Sequence, residues 1–171
     1  ALLGGGDAVL ELPSCWACGS AEYFSKGAVG ILDALDCVYH LCFGSESGDV
    51  VSCQKLGQVL DKEPEEFQNF LRDSLKEGLP FPAARKSALK KYLEARHDQS
   101  FSGDALFSGI ENLLDSPNNL LGIEYCKALS RLNSRISPVT VKREGAGYHD
   151  ESLSQPLSSA TAVRRLLTGP K

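Results

Sequence analysis

The sequence predicts an α/β fold, a parallel sheet flanked by helices and interrupted by a helical insertion. Three observations carry this. The nearly continuous apolar run Cys37-Val38-Tyr39-His40-Leu41-Cys42-Phe43 stops abruptly at Gly44-Ser45-Glu46-Ser47-Gly48, as a strand buried on both faces of a parallel sheet does. Ahead of it, Ala21, Phe24, Ala28, Ile31, Leu32 and Leu35 recur at helical spacing. A β-rich run, Pro138-Val139-Thr140-Val141-Lys142, returns after a long helical middle.

Taken in order, Ala1-Leu2-Leu3-Gly4-Gly5-Gly6 has the character of a helix tail entering a Gly-rich turn. Asp7–Leu12 follows as a short strand stopped by Pro13, and the chain begins at Ala1 and contains no Met, so a piece of a longer protein is expected. Ser20–Leu35 is a helix in which Gly27 and Gly30 leave room for close packing on the sheet. Strand, helix, strand and polar Gly/Ser loop make a βαβ unit with its loop at the carboxyl edge, where open α/β sheets bind ligands.

The middle is helical: Val50 to Leu60, Pro64 to Leu79 and Pro82 to His97, then a shorter piece over Leu106–Leu114. Pro64 suits the first helical position, and Glu65 and Glu66 favour the positive helix end. Phe67, Phe70, Leu71 and Leu75 form the buried stripe of that helix. Arg85, Lys86, Lys90, Lys91 and Arg96 form a basic face on the next, either a solvated surface or a phosphate-backbone contact. Residues 50–116 are therefore an insertion, and 1–49 with 117–171 form the α/β domain. Beyond it, Asn118-Asn119 precedes a helix over Leu120–Leu132, as Asn suits an N-cap. Glu144–Asp150 is a Gly-rich loop, and Ser158-Ser159-Ala160-Thr161-Ala162-Val163-Arg164-Arg165 starts the final helix.

Composition narrows the function classes. The 171 residues carry 18 Lys plus Arg against 22 Asp plus Glu, a formal net charge of −4, which argues against a strongly basic nucleic-acid-coating surface. No apolar run approaches the roughly 18 residues that span a bilayer, and no signal-peptide pattern opens the chain; a soluble, cytoplasmic protein is expected. Of the six cysteines, Cys15 and Cys18 form a lone C-x-x-C, without a second pair or a spaced His among His40, His97 and His149. A zinc site needs such a partner, so the cysteines are expected to be reduced and inert, with no metal held by the protein.

Three features meet at the carboxyl edge of such a sheet: Gly44 after one strand, Arg143 after another, and the helix start with Ser159, Thr161 and Arg164. Free N–H groups, hydroxyls and a guanidinium at a helix start suit an anion, although an ordinary Ser/Thr cap explains the hydroxyls equally well. No carboxylate pair, G-x-S-x-G elbow or Cys/His dyad is present. The residues alone lead to an α/β domain that binds phosphate or nucleotide.

Resemblance leads further. Asp7–Pro13, Ser20–Phe24 with Gly27-Ala28-Val29, Phe43-Gly44-Ser45-Glu46, Asn119–Tyr125 with Lys127-Ala128-Leu129, Arg143–Asp150 and Ser159–Arg164 together resemble the tRNA(Met) cytidine acetate ligase family, a branch of the nucleotidyltransferase-like superfamily. The resemblance runs from Asp7 to Leu167 and is weakest in the helical middle. It implies a partial Rossmann-like nucleotidyltransferase fold that activates acetate with ATP and passes acetyl to N4 of the wobble cytidine of elongator tRNA-Met. It implies ATP-binding roles for Gly44, Asn119, Arg143, Ser159, Thr161 and Arg164, and Mg²⁺ accompanying the ATP. The family also carries an N-terminal strand and a His-x-Gly-His motif that grips the phosphates. The sequence lacks both, so the chain alone is expected to be inactive or severely impaired. Two alternatives remain at this point: a related enzyme acting on another small acid or acceptor, and a non-catalytic RNA-binding module using the basic helix Arg85–Arg96 and the tail with Arg164, Arg165 and Lys171.

Overall fold

A computed structural model describes residues 2–96 and 113–143. After a 3₁₀ turn at Leu2–Gly4 come α1 (Ser14–Ala17), α2 (Ala21–Ala34), β1 (His40–Ser45), α3 (Val50–Lys62), α4 (Glu65–Lys76), α5 (Phe81–Arg96), α6 (Pro117–Arg131) and β2 (Ser137–Lys142). The two strands pair in parallel, with His40 opposite Ser137 and Gly44 opposite Val141. The α/β expectation holds.

Its details shift. Asp7–Leu12 forms no strand: no described strand offers its N–H and C=O groups a ladder, and extended backbone without a partner is not a strand. The βαβ unit present is therefore β1–α6–β2, with α3, α4 and α5 in its crossover. β1 starts three residues later than the apolar run because its ladder with β2 begins at His40. It is covered on one face only among the described residues, Phe43 and Ser45 facing inward while Cys42 and Gly44 are exposed. Val139 and Val141 share that open face from β2.

Local chemistry explains the helix boundaries. The Ser20 hydroxyl caps α2 by accepting from Tyr23 N. Asp49 caps α3, its carboxylate accepting from Ser52 N at 3.1 Å, and Glu63 ends it in the left-handed region at φ 41°. Pro64 is the N-cap of α4 rather than its first helical residue. In α4, Phe67 is buried and Phe70 and Leu71 are half-buried, but Leu75 is 41% exposed. α4 packs chiefly on α5, and a single neighbour covers a narrower stripe than the sequence pattern suggests. In α2 the buried line runs through Ser25 and Val29 toward α6, with Phe24, Ala28 and Ile31 only half-covered. Gly27 accommodates Trp16 of α1, not the sheet: an added Cβ would lie 2.6 Å from Trp16 Cγ, whereas Gly30 faces open space. Of the shorter helix expected over Leu106–Leu114, only 113 and 114 lie within the described residues, and 113–115 are helical.

One core joins the sheet to the helical middle. Phe43 of β1 clusters with Cys53, Leu56 and Leu60 of α3, Phe67 of α4, Leu89 and Tyr92 of α5, and Ile123 of α6. Residues 50–96 thus share a core with the strands and do not fold around one of their own. A smaller cluster, Val29, Leu129 and Ile136, fixes α2 to the end of α6. All six cysteines are unpaired. Burial pushes the Cys53 thiol up to about 11 and Cys126 up to about 12, which suppresses the reactive thiolate. Thiol labelling of the native protein at pH 8 is therefore expected to spare Cys53 and Cys126 and to modify the exposed Cys15, Cys18, Cys37 and Cys42. Rapid native labelling of either buried thiol would contradict this packing.

Candidate functional site

The carboxyl ends of β1 and β2 and the start of α6 converge on the loop after β1. Gly44 and Arg143 are neighbours: a Cβ added at Gly44 would lie 3.4 Å from Arg143 Cγ and 3.7 Å from its Cδ. The arginine stem thus lies across a strand end that has no side chain. Arg143 is exposed and its backbone N–H donates to Ser45 O at 2.9 Å, which extends the ladder one residue past β2. The bare Gly44 backbone and a guanidinium on one open face make a surface for a flat ring with an anionic tail.

The loop itself is heavily tied. Ser45 and Thr140 hydroxyls meet across the strands at 2.7 Å, and Thr140 Oγ1 also donates to Phe43 O. Gly48 N donates to Ser45 Oγ at 3.0 Å, and Ser47 N donates to Asn119 Oδ1 at 3.1 Å. Asn119 is not a cap preceding the helix. The N-cap is Ser116, with Pro117 in the first turn, because Pro fits where no N–H is required. Asn119 is therefore inside α6 and 2% exposed, and its side-chain oxygen holds the loop.

Glu46 is the residue to which sequence reasoning gave no role. Its Oε1 accepts from Asn118 Nδ2 at 2.6 Å and its Oε2 from Asn119 N at 3.0 Å. α6 has no acidic residue in its first turn, and the side chain of its N-cap does not cap it. A carboxylate from far along the chain takes that place at the positive helix end. The missing acidic residue after Pro117 was the available signal.

Of the sequence-predicted residues, Gly44 and Arg143 are brought together, and Asn119 joins them through Ser47. Ser159, Thr161 and Arg164, the loop 144–150 and the final helix start lie outside the described residues. The basic face of α5 is largely consumed by ion pairs. Arg85 meets Glu124 at 2.8 Å, Lys86 meets Asp115 at 2.6 Å and Arg96 meets Glu66 at 4.0 Å. Behind the site, Lys127 Nζ meets Glu22 Oε1 at 2.7 Å and lies 3.9 Å from Glu124 Oε2, joining α2, α5 and α6 in one charged cluster. No group of three or more His, Cys, Asp or Glu among the described residues is placed to hold a metal ion.

Comparison with known proteins decides the family. The match to the HIGH Nucleotidyl Transferase family spans residues 1–171. The chain belongs to that family. It is 49% identical over 166 residues to the tRNA(Met) cytidine acetate ligase of Clostridium perfringens, covering 96% of the chain and 40% of that protein. It is 44% identical over 168 residues to the protein of the same name from Acetivibrio thermocellus, covering 98% of the chain and 38% of that protein. The chain thus spans about 40% of the length of these curated relatives. Among solved structures, apo Thermotoga maritima TmcAL matches with a TM-score of 0.88 at 38% identity, covering 97% of this chain and 37% of that one. The same protein bound with alpha-thio ATP matches with a TM-score of 0.84 at 37% identity, covering 97% and 36%. The nucleotidyltransferase-like α/β fold expected from the sequence is thereby established.

Proposed function

We propose that the full-length protein carrying this chain is a tRNA(Met) cytidine acetate ligase. An acetate oxygen attacks the α-phosphorus of ATP and pyrophosphate leaves. The N4 amine of the wobble cytidine of elongator tRNA-Met then attacks the acetyl carbon of the acetyl-adenylate, AMP leaves and the amine loses a proton. The observation that carries the proposal is the convergence of Gly44, Arg143 and the Asn119-held loop at the carboxyl edge of the parallel strands, the place where open α/β sheets bind ligands. The likeness to a protein bound with alpha-thio ATP supports it.

In this reading the adenosine lies on the bare Gly44 edge, Arg143 contacts the nucleotide from β2, and Asn119 acts through the loop it holds. Ser159, Thr161 and Arg164 serve the phosphates. Rate enhancement comes from positioning acetate and stabilising charge at the α-phosphate, without a covalent enzyme intermediate. Mg²⁺ would be held by the ATP phosphates and would supply charge neutralisation there, without a carboxylate cage from this chain. Residues 50–116 are an insertion between 1–49 and 117–171, and its described residues 50–96 share the core of that domain. The sequence holds no His-x-Gly-His string, so the proposal assigns that phosphate grip to the rest of the full-length protein and expects this chain alone to be inactive or nearly so. The ion pairs of Arg85, Lys86 and Arg96 speak against the α5 part of the RNA-module alternative, while its Arg164, Arg165 and Lys171 tail lies outside the described residues.

The test is ATP–pyrophosphate exchange by the full-length protein and by this chain, each with acetate, with other small acids and with no acid. Exchange by the full-length protein that requires acetate supports the proposal. Exchange that is acid-independent, or supported by another acid in place of acetate, overturns it.

A further inference from the structure

We infer that Glu46 is a positioning residue for the adenosine half of the nucleotide, acting through the loop after β1; the inference rests on the ATP-binding reading above. Two independent bonds fix its carboxylate, from Asn118 Nδ2 at 2.6 Å and from Asn119 N at 3.0 Å. Asn119 in turn accepts from Ser47 N at 3.1 Å, so residues 46 and 47 are clasped to the first turn of α6 in both directions. Gly44, whose exposed backbone neighbours Arg143, sits only two residues before Glu46. Without the clasp, the loop is tied to β2 by the Ser45–Thr140 contact and turned back on itself by Gly48, but no longer seated on α6 through Glu46.

The arrangement also assigns the two ends of the nucleotide. The positive end of a helix is ordinarily attractive to a phosphate, yet at α6 that place is taken by the protein's own carboxylate. An incoming triphosphate would have to displace a charge-assisted bond pair to use it. The phosphates therefore run away from α6, and what the Glu46 clasp orders is the edge under the base and ribose. The requirement is for hydrogen-bond geometry, not for charge. A glutamine can accept from Asn119 N through its oxygen and donate to Asn118 once that amide turns over.

The experiment measures binding of ATP, and of adenosine as a competitor, to the full-length protein with Glu46→Ala, Glu46→Gln and Asn118→Ala. Each variant is held below its own thermal midpoint. Glu46→Ala is expected to weaken ATP and adenosine by the same factor, about tenfold, the scale of losing both of its hydrogen bonds at about threefold each. Glu46→Gln is expected to stay within about twofold of wild type because both bonds can be rebuilt. Asn118→Ala, which removes one bond and keeps the question open to test should Glu46→Ala fail to fold, is expected to weaken both ligands by about threefold. A lowered midpoint with unchanged affinities overturns the inference, since it leaves only a structural role. So does loss confined to ATP, which moves the effect to the phosphates, or a Gln variant as weak as Ala. Wild-type protein that binds neither ligand overturns the nucleotide reading itself, and this inference with it.

Discussion

Replacing Gly57 with alanine is expected to lower stability by about 2 kcal/mol, the cost of overpacking exceeding the gain in helix propensity of about 1 kcal/mol. Gly57 lies in α3 where it crosses α6, and an added Cβ would stand 2.7 Å from Lys127 N and 2.9 Å from the Cys126 carbonyl carbon. These are backbone atoms of a helix and cannot swing aside as a side chain would. The helices must separate, and with them the contacts of Cys53, Leu56 and Leu60 with Ile123 and Cys126 at the centre of the core. Gly30→Ala in α2 is the control of opposite sign. Nothing lies within 4 Å of its added Cβ, so alanine should add up to about 1 kcal/mol. Urea midpoints of the two variants should move in opposite directions, and a Gly57→Ala protein as stable as wild type would contradict the α3–α6 packing.

The second large effect is expected at Lys127, whose side chain is 8% exposed. Glu124 is also buried, with 7% of its side chain exposed, and its Oε2 has no hydrogen-bond partner. The Lys127 ammonium at 3.9 Å is what offsets that oxygen. Lys127→Met keeps the packing volume and removes the charge, and should cost about 2 kcal/mol, less than a buried pair broken on one side because Arg85 still pairs with Glu124 and Glu22 is half exposed. The double variant Lys127→Met/Glu124→Gln should cost less than the two single losses added together, because each single change already removes the Lys127–Glu124 attraction. Equal additive losses would show that the two groups do not interact.

The same cluster gives a pH dependence. The hydrogen bond from Lys127 holds the Glu22 carboxyl below its ordinary 4.5, against the opposing effect of partial burial. A depressed carboxyl stabilises the fold above its unfolded value and loses that contribution as pH falls through the folded one. The part of the Lys127 effect that runs through Glu22 should therefore be complete above pH 4.5 and fade below it. A difference between wild type and Lys127→Met that stayed constant down to pH 2 would contradict the pairing.

Much of this was legible in the sequence because local rules coincide with the tertiary result. The helices ahead of β1 and through 50–96 announce themselves by apolar spacing, Pro and Gly breaks and caps such as Ser20. The ends of both strands fall at the Gly/Ser loop and at Arg143, so the sequence alone places Gly44 beside Arg143. What was not legible depends on partners far away in the chain. Whether Asp7–Leu12 is a strand is decided by the presence of a neighbouring ladder, which β-propensity alone does not encode. Asn119 as a cap and Asn119 as a loop anchor have the same local sequence, and only the position of Ser47 separates them. Glu46 caps a helix that begins 71 residues later, and no short-range pattern reports that. The basic face of α5 looked free because its acidic partners Glu66, Asp115 and Glu124 come from three other segments.

The most direct test of the site is ATP binding by the full-length protein carrying Gly44→Val. Valine is well suited to a strand and Gly44 is exposed on the open sheet face, so the fold should hold and the unfolding midpoint should stay at or above that of wild type. Its branched side chain would stand between Arg143 and the surface assigned to the adenosine, and ATP affinity should fall by about 10- to 100-fold, the range of 1–3 kcal/mol for inserted bulk in a fitted contact. A Gly44→Val protein that is folded and binds ATP as tightly as wild type would contradict the account, because the nucleotide would then lie somewhere other than this strand edge.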